Sequence, residues 1–181
     1  MACPEIGIYA ACLASYNDGL LYGHWIDLAT ADGVEGVSEA IQWILSASPT
    51  PGAEEYAIHD HSGLPSFLVS SEWSDLSQLM AYTANVQEVA ESHGDAAAYR
   101  AWCENLGGVA SVEDFEDHDQ GLWDSPEAFA QDLFDQTGQL SGLPDCLAHR
   151  IDWAGVWRDL DCDGWSATFN PTEGGYQIFS P

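Results

Sequence analysis

The stretch RDLDCDGW, Arg158 to Trp165, sets Asp159, Asp161 and Asp163 at alternate positions with Gly164 directly after them. Oxygen ligands at positions 1, 3 and 5 and glycine at position 6 open a calcium loop of the EF-hand type, which also needs a bidentate glutamate at position 12 and a helix on either side. Position 12 is Asn170, followed by Pro171, and residues 165–169 alternate like a strand where the exit helix should begin. The stretch therefore reads as a turn with exposed carboxylates ahead of a hairpin. His59 and His61 make one H-x-H with no third placed ligand, too few donors for tetrahedral zinc. Cys146 and His149 stand three apart on an expected helix, but a thiolate and its base also need an oxyanion hole and an orienting group, and nothing nearby supplies them. The sequence holds no G-x-S-x-G, H-E-x-x-H, P-loop or G-x-G-x-x-G motif. The expectation is a protein that is not an enzyme and carries no cofactor or metal.

What remains is charge. Thirty Asp and Glu face three arginines, Arg100, Arg150 and Arg158, with no lysine, for a formal net charge of −27. Charge of this size keeps a chain soluble but opposes the compact state, so its use lies outside folding. Direct electrostatic binding of nucleic acid or an anionic membrane is close to excluded, because those partners need clustered Lys and Arg. A basic surface is the natural partner. One acidic run alone is ordinarily a solvated face; acids in every segment without compensating cations depart from the mixed signs of an ordinary surface. A phosphate duplex carries one charge per about 1.7 Å, so this charge matches about 13 base pairs, roughly 45 Å of duplex. A symmetric dimer would match about twice that, lengths that suit the DNA-binding channel of a large protein. The carboxylates expected to form such a surface are Glu88, Glu91, Glu113, Asp114, Glu116, Asp117, Asp119, Glu127, Asp132 and Asp135. Two other readings compete: a calcium-responsive acidic binding module built on Asp159, Asp161 and Asp163, and a chain adapted to high salt.

The elements that must position these acids divide the chain in three. Residues 6–13 and 20–28 read as strands joined by SYNDG, where Asn17, Asp18 and Gly19 tolerate the positive φ of a tight hairpin. Val34, Val37, Ile41, Ile44 and Leu45 recur at helical spacing until SASPTPG stops the helix, and EEYAIHD is a short strand ending at HSGLP. Residues 1–65 thus form an α/β domain. Residues 66–107 form a helical middle domain. Leu76, Leu79, Met80, Thr83 and Val86 mark one helix, and DAAAYRAWCENL marks a second with Asp95 as its N-cap. Residues 108–181 form an acidic α/β domain: Ser111 caps a short helix with Glu113 and Asp114 in its first turn. SPEAFAQDLFDQTG is the clearest helix, with Ser125 as N-cap, Pro126 at the first position, Phe129, Leu133 and Phe134 on one face, and Gly138 past its end. One or two helical turns follow within LPDCLAHRIDWAGVWRDL, and WSATF with GYQIF closes the chain as a hairpin. The fold class expected is α+β, as three small domains. The five cysteines, at 3, 12, 103, 146 and 162, show neither C-x-x-C pairs nor framework spacing, which reads as free thiols in a reducing cytoplasm. Met1 leads into ACPEIG without a basic region, and no apolar run of about 18 residues occurs, so neither a signal peptide nor a membrane span is expected.

Several stretches together resemble the ArdA family of antirestriction proteins. IYAACLASYNDGLLYGHWIDL, residues 8–28, is similar to that family's opening strand, its Y-N-acidic-G turn and the following G-x-W strand. EEYAIHDHSGLP, Glu54 to Pro65, resembles its most recognisable block, and residues 137–169 resemble its C-terminal part, with an R-D-L element at Arg158, Asp159 and Leu160. The resemblance implies an elongated, curved, three-domain molecule that forms a homodimer through its C-terminal domain and sets carboxylates in the pattern of bent DNA phosphates. It also implies occupation of the DNA-binding cleft of type I restriction-modification enzymes, which blocks restriction and often modification, and carriage on mobile genetic elements. This chain departs from the family in having no lysine, in its Ala- and Trp-rich composition, and in extra residues around SASPTPG and at its end. Arg158, beside Asp159, is expected to form a buried or interface ion pair that holds the surface.

Overall fold

The computed structural model describes all but residues 1, 2, 4, 71–73, 93, 95, 145, 146, 148 and 172. The chain is α+β and forms two compact units, residues 1–96 with 106–110, and residues 97–105 with 111–181.

The first unit is built on a sheet of order β2-β1-β3, from β1 (Gly7–Cys12), β2 (Gly23–Asp27) and β3 (Tyr56–Ser62), antiparallel throughout. Strands β1 and β2 pair as expected, but a short helix α1 (Leu13–Asn17) stands between them in place of a tight hairpin. Neither Asn17 nor Asp18 takes a positive φ; Gly19 alone does, at 82°. Its N–H bonds Tyr16 O at 3.0 Å and that of Leu20 bonds Ser15 O at 2.9 Å, which is the Schellman end of a helix. SYNDG therefore terminates a helix.

Helix α2 (Gly33–Ser46) buries Val37, Ile41, Ile44 and Leu45, the stripe its spacing announces, while Val34 stays exposed. The SASPTPG segment folds back over β1. The Cys12 thiol lies 3.3 Å from Ser48 Oγ, and fully buried Ser15 reaches Ser48 Oγ at 2.9 Å and Thr50 Oγ1 at 3.0 Å. The buried Ser15 hydroxyl is thus satisfied by half-buried hydroxyls without any charge. Helix α3 (Leu76–Ser92) buries Leu79, Thr83 and Val86 as expected, and also Tyr82 and Val89; Leu76 and Met80 are half-buried. Gln87 Nε2 donates to Ala29 O at 3.1 Å, and Asn85 Nδ2 to Ala110 O at 2.9 Å.

In the second unit a sheet of order β4-β6-β5 comprises β4 (Asp119–Trp123), β5 (Ser166–Asn170) and β6 (Gly175–Phe179). The β5–β6 hairpin is the one expected; β4 is not legible in SVEDFEDHDQ because DQGLW has little strand character and is held by pairing with β6, more than fifty positions away. Helices α4 (Ala96–Leu106) and α5 (Val112–His118) lie on one face of this sheet. There Phe179 meets Trp102 at 4.9 Å and Phe115 at 6.4 Å between ring centroids, and Tyr99 meets Phe115 at 5.7 Å. Asp95, expected to cap α4, lies outside the described residues.

On the opposite face, helices α6 (Pro126–Gln136) and α7 (Trp153–Cys162) pack together. Phe129 of α6 touches Trp123, Trp157 and Trp165 at 5.3, 6.3 and 5.1 Å. Ser125 caps α6 by accepting from Ala128 N, Pro126 opens it, and Gly138 follows its end, all as expected; Leu133 and Phe134 are half-buried. Among the described residues no helix is long and apolar enough to cross a membrane. Because Phe179 is fully buried between α4 and α5, Phe179→Ala should cost about 3–5 kcal/mol of stability, measured by urea unfolding followed through tryptophan fluorescence.

Candidate acidic surface

The aspartates of RDLDCDGW sit where no cation loop can form. Asp159 and Asp161 lie within α7 and Asp163 is its C-cap; residues two apart on a helix point about 200° apart, so Asp161 points away from Asp159 and Asp163 and the three carboxylates do not converge. Gly164, at φ 101°, donates to Asp161 O, and Trp165 N donates to Leu160 O, both at 3.1 Å. This is a second Schellman end, and it explains the glycine. All three aspartates are exposed. His59 is the extra residue of a bulge in β3, opposite Tyr9 and Ala10, and its ring meets Tyr16 at 4.6 Å. Among the described residues no three His, Cys, Asp or Glu side chains gather as a metal site. Cys146 lies outside the described residues, and His149 is exposed in a turn.

The ten carboxylates singled out in the sequence fall into two groups by what they touch. Glu88 and Glu91 are exposed near the end of α3 in the first unit. The rest belong to the second unit. Glu113, Glu116 and Asp117 are exposed on α5; their spacing of three and four residues places them on one face, opposite buried Phe115. Asp135 is exposed on α6, while Glu127 and Asp132 are half-buried there, Asp132 accepting from Gln136 Nε2 one turn on.

Asp114 and Asp119 do different work. Asp114 Oδ2 accepts the indole N–H of buried Trp102 at 2.8 Å, and its own N–H is taken by Ser111 Oγ at 3.0 Å. His118, stacked on Trp102 at 5.0 Å, places Nδ1 2.7 Å from Asp114 O. Asp119 Oδ1 accepts from Gln177 Nε2 and from Gly121 N. Both carboxylates are half-buried ties within the unit. Neither tie is readable in the run VEDFEDHD, since Trp102 and Gln177 come from distant segments.

The ion pair expected at Arg158 takes another form. Arg158 Nη2 lies 3.7 Å from Asp152 Oδ2, with the two side chains 73% and 74% exposed, so the partner is the N-cap of α7 one and a half turns back, not Asp159, and the pair is not buried in the chain. Exposed pairs of this kind contribute little. Asp152 does more as a cap, its Oδ1 accepting Gly155 N at 3.1 Å.

Outward helix faces rich in carboxylate, on two small sheets with packed helices, define a class: an acidic α+β protein. The sequence signature of the ArdA antirestriction proteins matches residues 8–177 of the 181, and the chain belongs to the ArdA antirestriction family. No individual curated protein matches it. The family match spans all three stretches whose resemblance was noted above. Because Asp114 holds Trp102 and Asp117 faces water, Asp114→Ala should lower stability by about 1 kcal/mol, while Asp117→Asn should stay within about 0.5 kcal/mol of the parent. Urea midpoints of the two variants check this.

Proposed function

We propose that this ArdA-family chain is a DNA mimic that occupies the DNA-binding cleft of a type I restriction-modification enzyme and so inhibits restriction, and modification with it. The observation that carries the reading is the exposed face Glu113, Glu116 and Asp117 of α5, within a chain whose net charge is −27. A cleft that binds DNA is lined by Lys and Arg, which neutralise phosphates and release condensed ions. Carboxylates presented in their place attract the same cations, and the charge excess steers the encounter. In the same unit, Glu127, Asp132 and Asp135 on α6 and exposed Asp159, Asp161 and Asp163 on α7 add charge on the other side of the sheet, and exposed Glu88 and Glu91 add charge to the first unit. Asp114 and Asp119 contribute charge from positions already tied to Trp102 and Gln177.

The working form is a homodimer joined through the C-terminal segment, residues 108–181; exposed Leu143 and Leu147 offer apolar surface for it. A partner that acts on DNA inside the cell calls for an inhibitor in the cytoplasm. Purified protein should compete with a DNA duplex for a type I restriction-modification enzyme at about 50 mM salt and lose most of that competition at about 300 mM. The variant carrying Glu113→Gln, Glu116→Gln and Asp117→Asn should reduce the salt slope of binding by about one for each carboxylate that meets a cation. Absence of competition at both salts would overturn the reading. Leu147→Glu should shift sedimentation toward the monomer, and an unchanged sedimentation coefficient would place the dimer contact elsewhere.

A further inference from the structure

The sheet of the first unit has two unlike faces. Ile8 and Ala10 of β1 are fully buried, and Ala10 stands opposite His24, whose ring meets Trp43 of α2 at 5.3 Å, so theirs is the face that α2 covers. Tyr9, between them in the strand, points to the other face. There the register sets it directly opposite Trp25 of β2 on one side and Asp60 of β3 on the other. Trp25, Tyr9 and Asp60 thus form a row across all three strands, two rings and a carboxylate on one face.

The two rings hold each other in place and still reach solvent: they meet edge to face at 5.8 Å, and both are half-buried. A Cβ at position 23 would lie 2.9 Å from Tyr9 Cε1, so Gly23 is what lets the Tyr9 ring lean over β2. That lean leaves space toward β3, where Asp60 stands exposed. A cavity of about 440 Å³ opens on this face, lined by Tyr9, Leu21, Trp25, His59 and Asp60. Asp60 Oδ1 accepts from His61 N at 2.8 Å, which orients the carboxylate. All three arginines belong to the second unit and the chain has no lysine, so the first unit has no Lys or Arg of its own to set against this row.

We propose that this cavity takes the guanidinium of an arginine side chain presented by a basic protein partner, laid against the Tyr9 and Trp25 rings and paired with Asp60. Aromatic faces attract cations, and the carboxylate beside them supplies the counter-charge. A guanidinium is flat enough to lie on a ring while its N–H groups donate to a carboxylate, and it is more weakly hydrated than an ammonium, so this lining favours arginine over lysine. The net charge of −27 disfavours an anion. Exposed carboxylates such as Glu113 and Asp117 attract either cation by charge alone; the rings are what select arginine. The site lies in the first unit, away from the acidic face of α5, and does not rest on the DNA-mimic reading: it needs an arginine on a partner, and its test involves no restriction enzyme.

The test uses the full chain, labelled with ¹⁵N, and three capped tripeptide probes: glycine-arginine-glycine, the same peptide with lysine at its centre, and the same with citrulline, the uncharged counterpart of arginine. The expected result with the arginine peptide is a saturable shift of the Trp25 indole N–H and of the Tyr9, Leu21 and Asp60 backbone signals. Binding should be at least about threefold weaker for the lysine peptide and lost with citrulline. Asp60→Asn should weaken the arginine peptide at least about threefold, while Glu39→Gln, which removes the same charge from the exposed side of α2, should leave it unchanged. Trp25→Leu should remove the preference for arginine over lysine. Shifts that do not saturate, equal binding of the arginine and lysine peptides to the parent chain, or equal effects of Asp60→Asn and Glu39→Gln would each overturn the proposal. The probes and the two exposed substitutions decide the matter even where Trp25→Leu does not fold.

Discussion

Mutual repulsion among thirty carboxylates, opposed by three arginines, is the constraint on which the rest of this protein depends. A chain of this composition cannot be held together by ion pairs, and the Arg158–Asp152 pair, largely exposed, shows how little such pairs supply. Cohesion comes from uncharged contacts. In the second unit it is aromatic, with Tyr99, Trp102, Phe115 and Phe179 on one face of the sheet and Trp123, Phe129, Trp157 and Trp165 on the other. In the first unit aliphatic side chains of α2 and α3 form the core, and the Ser15, Ser48 and Thr50 hydroxyls knit the segment after α2 to β1. Edge-to-face rings and apolar burial are indifferent to net charge, so the surface is free to carry acids.

The same constraint divides the acids by role. Where a carboxylate is needed structurally, the donors that satisfy it are backbone amides, an indole or a side-chain amide: Asp75 on Ser77 N, Asp114 on Trp102, Asp119 on Gln177. These donors bring no positive charge, so the acid keeps its full field. Carboxylates such as Glu113 and Asp117 are exposed on their helix face, where substitution changes the field and leaves the fold alone. A binding surface made this way spreads its effect over many residues, and loses it gradually as charges are removed.

Sequence patterns local to one helix or strand proved reliable. The stripe of α2, the Ser125 and Ser111 caps, the β5–β6 hairpin and the α+β class all appear as their residues announce, because each depends on neighbours within a turn or a tight loop. Motif matching misled where one signature serves two geometries. SYNDG ends in glycine after an amide and an acid, which suits a hairpin as well as a Schellman helix end. Strand β4 escaped detection because its stability comes from β6 and not from its own side chains.

By itself the sequence determined the charge, the absence of lysine, the aromatic stock for the cores and the local helix and hairpin signals, since these are properties of composition and short-range spacing. Which acids are ties and which are surface was decided only by tertiary structure. Asp114 and Asp117 are three residues apart on one short helix, yet one meets Trp102 and the other meets solvent. Whether a carboxylate acquires a donor depends on a partner brought close by folding, and no local pattern carries that information.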